Sequence, residues 1–308
     1  MPGEEEKTPD PSPEEPSGDS GKAPVASSSE PAWDELTALA SFTRGKRIRL
    51  GLLGRLTTSS PEIRLVDGFN FLIRGVPGRA MRYLRQAASI SDALFLTGFL
   101  ALRTGDLDSA EKDLTAAPLA RGGIGRYFRK YGFEPELRVA LRHGASCAVP
   151  LDRFGSMLML VEISSRKPDI DRAISIAGDV CRLAPELLLA RVMLAETLDL
   201  AGRSDKDTLE EVVKLGRAVE NRGAVHAAML YYKGKALRKL GIYTAALETL
   251  ETAMMNPKLR TEELIKAATY EHALALEQSG NKLESRKQLE HLYAEDPEYE
   301  DIRKRLQL

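Results

Sequence analysis

The sequence predicts an all-α protein, a right-handed α-α superhelical solenoid of helical hairpins, with a small β-hairpin insert and a disordered N-terminal tail. Two observations support this fold class. Alanine and leucine, which favour helices, carry most of the apolar content, and only 6% of the residues are aromatic. In addition, a small residue is followed seven positions later by glycine in five places: Gly68 and Gly75, Gly98 and Gly105, Ala195 and Gly202, Gly234 and Gly241, and Ala273 and Gly280.

This spacing indicates a first helix that ends in a tight turn. A helix packed closely on its neighbour needs a very small side chain at the contact, and glycine makes the left-handed exit two turns later most easily. Five and nine residues after the glycine, a small residue and a leucine continue the apolar stripe of a second helix. These pairs are Ala80 and Leu84, Ala110 and Leu114, Ala246 and Leu250, and Ser285 and Leu289. Each unit is therefore predicted to be a helical hairpin.

Residues 91–117 show the repeated pattern most completely, at Leu94, Gly98, Ala101, Gly105, Leu107, Ala110, Leu114 and Ala117. In these residues the chain resembles the tetratricopeptide repeat (TPR), a helix-turn-helix unit of about 34 residues. Further units are expected to begin near Pro61, Ala227 and Lys266, and two degenerate units contain Val161 and Leu188. The resemblance implies a stack of about six TPR-like hairpins, and repeats of this kind bind many unrelated partners.

The predicted organisation has five parts. They are an acidic disordered tail (1–30), an N-terminal capping helix region (31–60), repeats one and two (61–117), a basic and aromatic insert (118–154), and repeats three to six with a C-terminal cap (155–308). The tail is predicted because a segment rich in Pro, Glu, Ser and Gly cannot offset its ordering entropy. Residues 1–35 carry 2 lysines and 10 acidic residues, whereas residues 36–153 carry 19 basic and 10 acidic residues. Two hypotheses follow: the tail screens the basic half, or it only solubilises the protein.

The capping region opens with Pro31 and Trp33, and its apolar residues up to Phe42 lie close to helical spacing. We therefore expect a terminal helix that covers the open end of the solenoid, as repeat arrays require. The next segment, residues 44–55, is basic and amphipathic, which would also suit an anionic membrane surface. Its three glycines weaken a helix there.

The insert has an apolar period of two at Leu137, Val139 and Leu141, and a second run at residues 147–151 follows after a turn. This pattern predicts a small β-hairpin, with Pro150 confining the second run to a sheet edge. The glycines before it are not followed by the lysine and the serine or threonine of a phosphate loop, so nucleotide binding is not predicted there.

Basic and aromatic side chains alternate ahead of this hairpin. Cations for phosphates and rings for bases together suit single-stranded nucleic acid. Residues 44–55 and 121–142 therefore define an alternative function in binding nucleic acid or an anionic surface, with candidate residues Arg126, Arg129, Lys130, Arg138 and Arg142. The other interpretation is that the aromatic rings pack on the solenoid and the arginines remain in solvent.

Residues with catalytic or metal-binding chemistry are scattered. The histidines belong to no HExxH pair, and the two cysteines, Cys147 and Cys181, have no metal-ligand spacing. We therefore predict no enzyme activity, no cofactor and no metal site. The few cysteines, and the absence of a secretory signal or of an apolar run long enough for a membrane span, predict a cytoplasmic protein.

Function is expected in the groove that the first helices line. The predicted partner-binding residues are Phe69, Phe95, Phe99, Tyr231, Lys235, Arg238 and Tyr270. The phenylalanines form an apolar surface, which either a partner's helix or the chain's own residues 33–42 would fill. The tyrosines amid lysine and arginine suit an acidic peptide. The sequence thus predicts a non-enzymatic adaptor or assembly scaffold whose partner is another protein.

Overall fold

A computed structural model describes residues 40–42, 47–51 and 56–308 of the chain. The predicted acidic tail and Trp33 lie outside the described residues. In the described part, the strands are β1 (Ala40–Phe42), β2 (Pro135–Ala140) and β3 (Ser146–Ala148). The α-helices there are α1 (Ser60–Ile73), α2 (Pro77–Arg85), α3 (Ser91–Arg103), α4 (Leu107–Ala116), α5 (Arg126–Tyr131), α6 (Arg153–Arg166), α7 (Ile170–Leu183), α8 (Leu188–Leu200), α9 (Lys206–Leu215), α10 (Ala224–Lys239), α11 (Tyr243–Met254), α12 (Glu262–Gln278), α13 (Lys282–Glu295) and α14 (Ile302–Leu306).

Consecutive helices pack in pairs as six hairpins: α1–α2, α3–α4, α6–α7, α8–α9, α10–α11 and α12–α13. Each second helix also packs against the first helix of the next hairpin, and α4 reaches α6 across the insert that contains α5, β2 and β3. The stack therefore continues past the interruption, and the predicted helical-repeat fold is confirmed. At the far end, Ile302 and Leu306 of α14 are buried against α13.

Glycine meets leucine where the two helices of a hairpin cross. A methyl group placed on Gly68, Gly98 or Gly234 would lie 2.6, 2.6 or 2.5 Å from a leucine side-chain carbon of the second helix. These distances are shorter than van der Waals contact, so no larger residue fits without movement. The predicted left-handed exits are also confirmed, because positive φ angles occur at Gly75, Gly105, Gly202, Gly241 and Gly280.

The strands form a three-stranded antiparallel sheet with β2 in the middle. The register of β2 and β3 pairs Arg138 with Ala148 and Ala140 with Ser146, which confirms the predicted β-hairpin. Both strands begin slightly earlier than the sequence pattern indicated. On the other side of β2, β1 places Phe42 opposite Pro135.

The prediction of a capping helix is wrong for residues 40–42, which form β1, and residues 47–51 have no regular secondary structure. The N–H of Ile48 donates to Asn70 Oδ1 at 2.9 Å, and its carbonyl accepts from Asn70 Nδ2 at 3.1 Å. The extended conformation prevails because the backbone groups along the edge of β2 need partners, and only an extended segment supplies them. The other residues of the basic segment between 43 and 55 lie outside the described part.

Candidate functional site

The inner face of the array, formed by the first helices, is occupied by the insert. Phe133 stacks on Phe69 of α1 with ring centroids 4.2 Å apart. Phe128 lies 5.7 Å from Phe69 and 6.4 Å from Phe95 of α3. Phe42 of β1 stacks on Phe133 from the other side, at 6.2 Å. The apolar surface that the sequence assigned to a partner's helix or to the N-terminal segment is therefore filled mainly by aromatic rings of the insert.

A buried carboxylate closes the glycine-rich turn at the start of the insert. Asp92 of α3 accepts hydrogen bonds from the backbone N–H groups of Gly125, Tyr127 and Phe128 at 2.5, 2.6 and 3.1 Å. Burial raises the pKa of Asp92, and the three N–H donors oppose that rise. Backbone N–H groups at the start of a helix attract anions, and here a side chain of the protein already occupies them. This geometry agrees with the prediction that the turn is not a phosphate loop.

The turn between β2 and β3, residues 141–145, reaches the last hairpins, and we call it the tip. The N–H of Arg142 donates to Glu196 of α8 at 3.0 Å. The His143 ring meets Tyr231 of α10 edge-on, with centroids 5.0 Å apart. The hydroxyl of Thr261, directly before α12, donates to the His143 carbonyl. The insert thus follows the inner face from α1 to the start of α12.

A pocket of about 270 Å³ opens beside the tip, between the hairpin, α6 and α8. We call it the inner pocket. Its apolar lining includes Leu141, Val161, Met193 and Leu200, and its polar lining includes Arg142, Glu162, Arg166 and Glu196. Leu200 is 43% exposed, so its side chain is accessible at the edge of the pocket. The pocket is about the size of one or two side chains and is not large enough for a typical small-molecule site.

Glu162 at the floor of the pocket is shared by two arginines. The buried Arg103 of α3 lies 2.5 Å from one of its oxygens, and the half-exposed Arg166 lies 2.6 Å from the other. Arg103 also stacks over the ring of Phe99 at 5.4 Å, so the predicted groove residue Phe99 supports the buried cation. One carboxylate therefore faces two guanidinium groups.

Asp199 of α8 is shared in the same way. It lies 2.9 Å from Lys235, 3.7 Å from Lys239 and 3.9 Å from Arg142 of the tip. Glu271 of α12 completes the cluster and is bound by Lys235 and Arg238. These two contacts measure 3.6 and 2.7 Å.

Two neighbouring clusters, the one at the inner pocket and the one around Asp199, together hold six cations and four carboxylates. The cations are Arg103, Arg142, Arg166, Lys235, Arg238 and Lys239, and the carboxylates are Glu162, Glu196, Asp199 and Glu271. Even with every carboxylate ionised, positive charge is in excess. A low-dielectric wall strengthens the resulting field, so this part of the inner face attracts anionic groups.

Glu196 connects the pocket to the tip. Besides the Arg142 N–H it accepts the hydroxyl hydrogen of Tyr232 at 3.1 Å. Burial raises the pKa of Glu196 to about 7, and its two hydrogen-bond donors and the Arg142 charge oppose that rise. The side chain therefore loses its charge near neutral pH, which increases the surplus of positive charge around the pocket.

The structure divides the predicted partner-binding residues into two groups. Phe69, Phe95 and Phe99 are fully buried, so a partner reaches them only if the insert leaves. Tyr231 is also buried, beneath the ring of His143. The remaining three residues, Lys235, Arg238 and Tyr270, lie further along the inner face. Lys235 and Arg238 are engaged in the ion pairs described above, and the Tyr270 hydroxyl donates to Asp301. Their part in binding a partner stays a prediction.

The predicted anion-binding residues also separate. Arg126, Arg129 and Lys130 lie exposed on α5, and Lys130 pairs with Glu62. Arg138 instead pairs with Glu136 at 2.7 Å. Arg142 belongs to the tip. The neighbouring rings of Tyr127, Phe128 and Phe133 are buried, so they present no face on which a base could stack. The part of these basic residues in binding an anion stays a prediction.

Sequence reasoning missed the acidic residues of the site, above all Asp92, Glu162, Glu196 and Asp199. One signal was available: Glu162 and Glu196 are 34 positions apart, which is the length of one repeat unit, and they therefore occupy equivalent places on successive first helices. No local pattern indicated Asp92, because its three partners lie more than thirty residues further along the chain.

One solved structure is similar to this chain over most of its length. The crystal structure of the N-terminal domain of the EccA1 ATPase from the ESX-1 secretion system of Mycobacterium tuberculosis aligns with a TM-score of 0.56, at 16% identity, over 80% of this chain and 88% of that chain. The chain shares the fold of that domain. Residues 206–307 also match the family model described as T7SS, ESX-1 secretion system protein EccA1, N-terminal domain. This match covers α9 to α14, about a third of the chain.

A structure of Naa15/Naa10 bound to HypK-THB aligns over 85% of this chain and 36% of that chain, with a TM-score of 0.40 and 17% identity. A similarity at that level supports no argument. No curated protein matches the sequence. The helical-repeat fold of this chain thus agrees with the fold of the EccA1 N-terminal domain. The resemblance to tetratricopeptide repeats is consistent with that fold.

The described residues also bear on two other kinds of site. Residues 40–42, 47–51 and 56–308 contain no group of three or more His, Cys, Asp or Glu side chains placed to hold a metal ion. None of the helices in the same part of the chain has the length and apolar character that a bilayer span requires.

Proposed function

We propose that this chain is a non-enzymatic protein-interaction adaptor that binds an acidic, leucine-containing peptide of another protein at the inner pocket. The observation that carries the proposal is the combination of an apolar pocket with a surplus of positive charge on the inner face. Leu141, Val161 and Leu200 would receive an apolar side chain, and Arg142 and Arg166 at the rim would meet flanking carboxylates.

The proportions of the pocket favour a protein partner. Its volume suits a side chain of a peptide, while its rim arginines are 45% and 44% exposed and are free to turn toward a new carboxylate. The match to the N-terminal domain of EccA1, a secretion-system protein, supports a role within a protein assembly. The predicted groove residues Lys235, Arg238 and Tyr270 would extend the same surface toward α12. We further propose that the protein acts in the cytoplasm, in agreement with its two free thiols, Cys147 and Cys181.

The test uses a fluorescein-labelled peptide rich in glutamate and leucine, with anisotropy measured against the full chain at low and moderate salt. We expect Leu200→Asp and Arg166→Glu each to weaken binding about tenfold or more, because each places negative charge beside the peptide's carboxylates. The matched controls are Leu283→Asp and Arg286→Glu on α13, outside the pocket. Absence of binding at low salt, or equal losses in controls and pocket variants, would contradict the proposal.

The native partner can then be tested with the same four variants. Affinity capture from the source cell should recover a partner with the wild-type chain and both controls but not with the pocket variants. A partner retained in full by Leu200→Asp and Arg166→Glu would show that it binds elsewhere on the array.

A further inference from the structure

The tip covers part of the inner face that a longer partner would need. Its His143 ring lies over Tyr231, and Thr261 at the start of α12 holds its backbone. A peptide that extends from the inner pocket toward Lys235 and Tyr270 would have to cross this position. The tip and such a partner therefore compete for the same surface.

The insert is anchored very differently at its two ends. Its root, residues 125–133, contributes buried rings to the main core and donates three backbone hydrogen bonds to Asp92. At the tip, Leu141 and Ala145 are buried in the same core, whereas Arg142 and Gly144 between them are exposed and His143 is half-buried. Arg142 and His143 contact the helices and Thr261 through one ring contact, two hydrogen bonds and one ion pair at 3.9 Å.

The backbone of the tip is also held in a conformation that most residues avoid. His143 has a φ of +58° and Gly144 a φ of +73°. Left-handed geometry is unfavourable for a residue with a Cβ atom, so His143 gains when the turn is allowed to relax. Residues 142–144 thus combine exposure with local strain at His143, whereas the left-handed residues of the root, Gly125 and Gly132, are glycines and carry no such strain.

We infer that residues 142–144 of the tip are a latch on the partner-binding face: they swing away from α8, α10 and α12 about the buried Leu141 and Ala145 and uncover Tyr231 for the peptide. This inference rests on the proposed function. The seated latch leaves the inner pocket open and blocks its extension toward α12. A peptide that occupies the extension stabilises the released state, which is population shift between two conformations of one element.

A reversible lock tests the inference directly. A Cβ atom on Gly144 would stand 3.3 Å from Thr261 Cβ, close to the separation of about 3.5–4.5 Å in a disulfide. The variant Gly144→Cys/Thr261→Cys, with Cys147→Ser and Cys181→Ser to prevent other pairings, should therefore lock the tip when oxidised and free it when reduced. Strain from a cysteine at a positive φ is present in both states and cancels in their comparison.

The first measurement is hydrogen exchange of the hairpin amides, which needs no partner. We expect exchange in residues 141–145 to be faster in the reduced than in the oxidised form. We also expect His143→Ala to accelerate it roughly two- to tenfold, the loss of one aromatic contact. Amides of α5 should not change, and His291→Ala on α13 serves as the control. Unchanged exchange in the hairpin for both variants would overturn the inference.

The second measurement is the affinity of the glutamate- and leucine-rich peptide for the two redox forms. We expect at least threefold tighter binding to the reduced form. Equal affinity for both forms would overturn the latch while the proposed function stands. If neither form and no wild-type chain binds the peptide, the proposed function fails, and the exchange experiment alone decides whether the tip opens.

Discussion

The crossing of the paired helices can be tested with one methyl group. Gly98→Ala would place a Cβ atom 2.6 Å from Leu114 Cγ and 3.2 Å from the Leu114 backbone nitrogen. Overpacking of this kind costs about 1–3 kcal/mol, and the higher helix propensity of alanine returns about 1 kcal/mol. Since Leu114 is fully buried, its side chain cannot turn aside freely, and we expect a net loss of about 1–2 kcal/mol in the free energy of unfolding.

A second glycine provides the matched control. Gly178 of α7 also lies within a helix, but a methyl group there would meet no atom within 4 Å. Gly178→Ala should therefore raise the free energy of unfolding by about 0.5–1 kcal/mol, through helix propensity alone. The same substitution is thus expected to have opposite signs at two helical positions of one protein.

The assay is urea unfolding followed by circular dichroism at the helical wavelength. A double-mutant cycle sharpens it: Leu114→Ala alone should cost about 2–5 kcal/mol, and Gly98→Ala should add little once that leucine is gone. The favourable coupling should be about 1 kcal/mol or more. If Gly98→Ala were as stabilising as Gly178→Ala, or if the two substitutions at the crossing were additive, the close-packing argument would be refuted.

Three further predictions concern polar contacts. Asp92→Ala should lower the free energy of unfolding by about 2–4 kcal/mol, because it leaves buried backbone N–H groups unpaired. The measurement is urea unfolding, and a loss below about 0.5 kcal/mol would contradict the prediction. Asn70→Ala removes two hydrogen bonds to Ile48 and should increase hydrogen exchange in residues 47–51 roughly tenfold, whereas unchanged exchange would show that the clamp does not hold this segment. Burial raises the pKa of Glu196 from 4.5 to about 7. Its protonated form is therefore favoured in the folded state, and its contribution to stability is present below pH 4.5 and is lost as pH rises through 7. Glu196→Gln should match the wild type near pH 5 and exceed it by about 2–3 kcal/mol at pH 8 in urea unfolding, and a difference independent of pH would refute the assignment.

Much of the fold could be read from the sequence because its determinants are local. The small residue at Gly98 and the glycine at Gly105 act within one hairpin, so their spacing carries the helix crossing and the turn together. The β-hairpin was visible for the same reason, as an apolar period of two around a turn. The capping helix was predicted wrongly at residues 40–42 because the pairing of β1 depends on the edge of β2, almost a hundred residues away.

The site was only partly predictable. Phe69, Phe95 and Tyr231 lie on first helices, yet the sequence did not show that Phe128, Phe133 and the tip cover them. Whether a surface is open or filled depends on what else the chain brings to it. The sequence pattern of apolar and basic residues is the same whether the surface is open or filled.

By itself, the sequence determined a stack of paired helices, an interruption with a β-hairpin and an uneven distribution of charge. Each of these follows from periodicity or composition within a short stretch. Only the tertiary structure decided that the insert lies along the inner face, that Glu162 and Asp199 each serve several cations, and that a pocket remains beside the tip. The physical reason is that burial and ion pairing join residues far apart in the chain, and such contacts leave no local pattern.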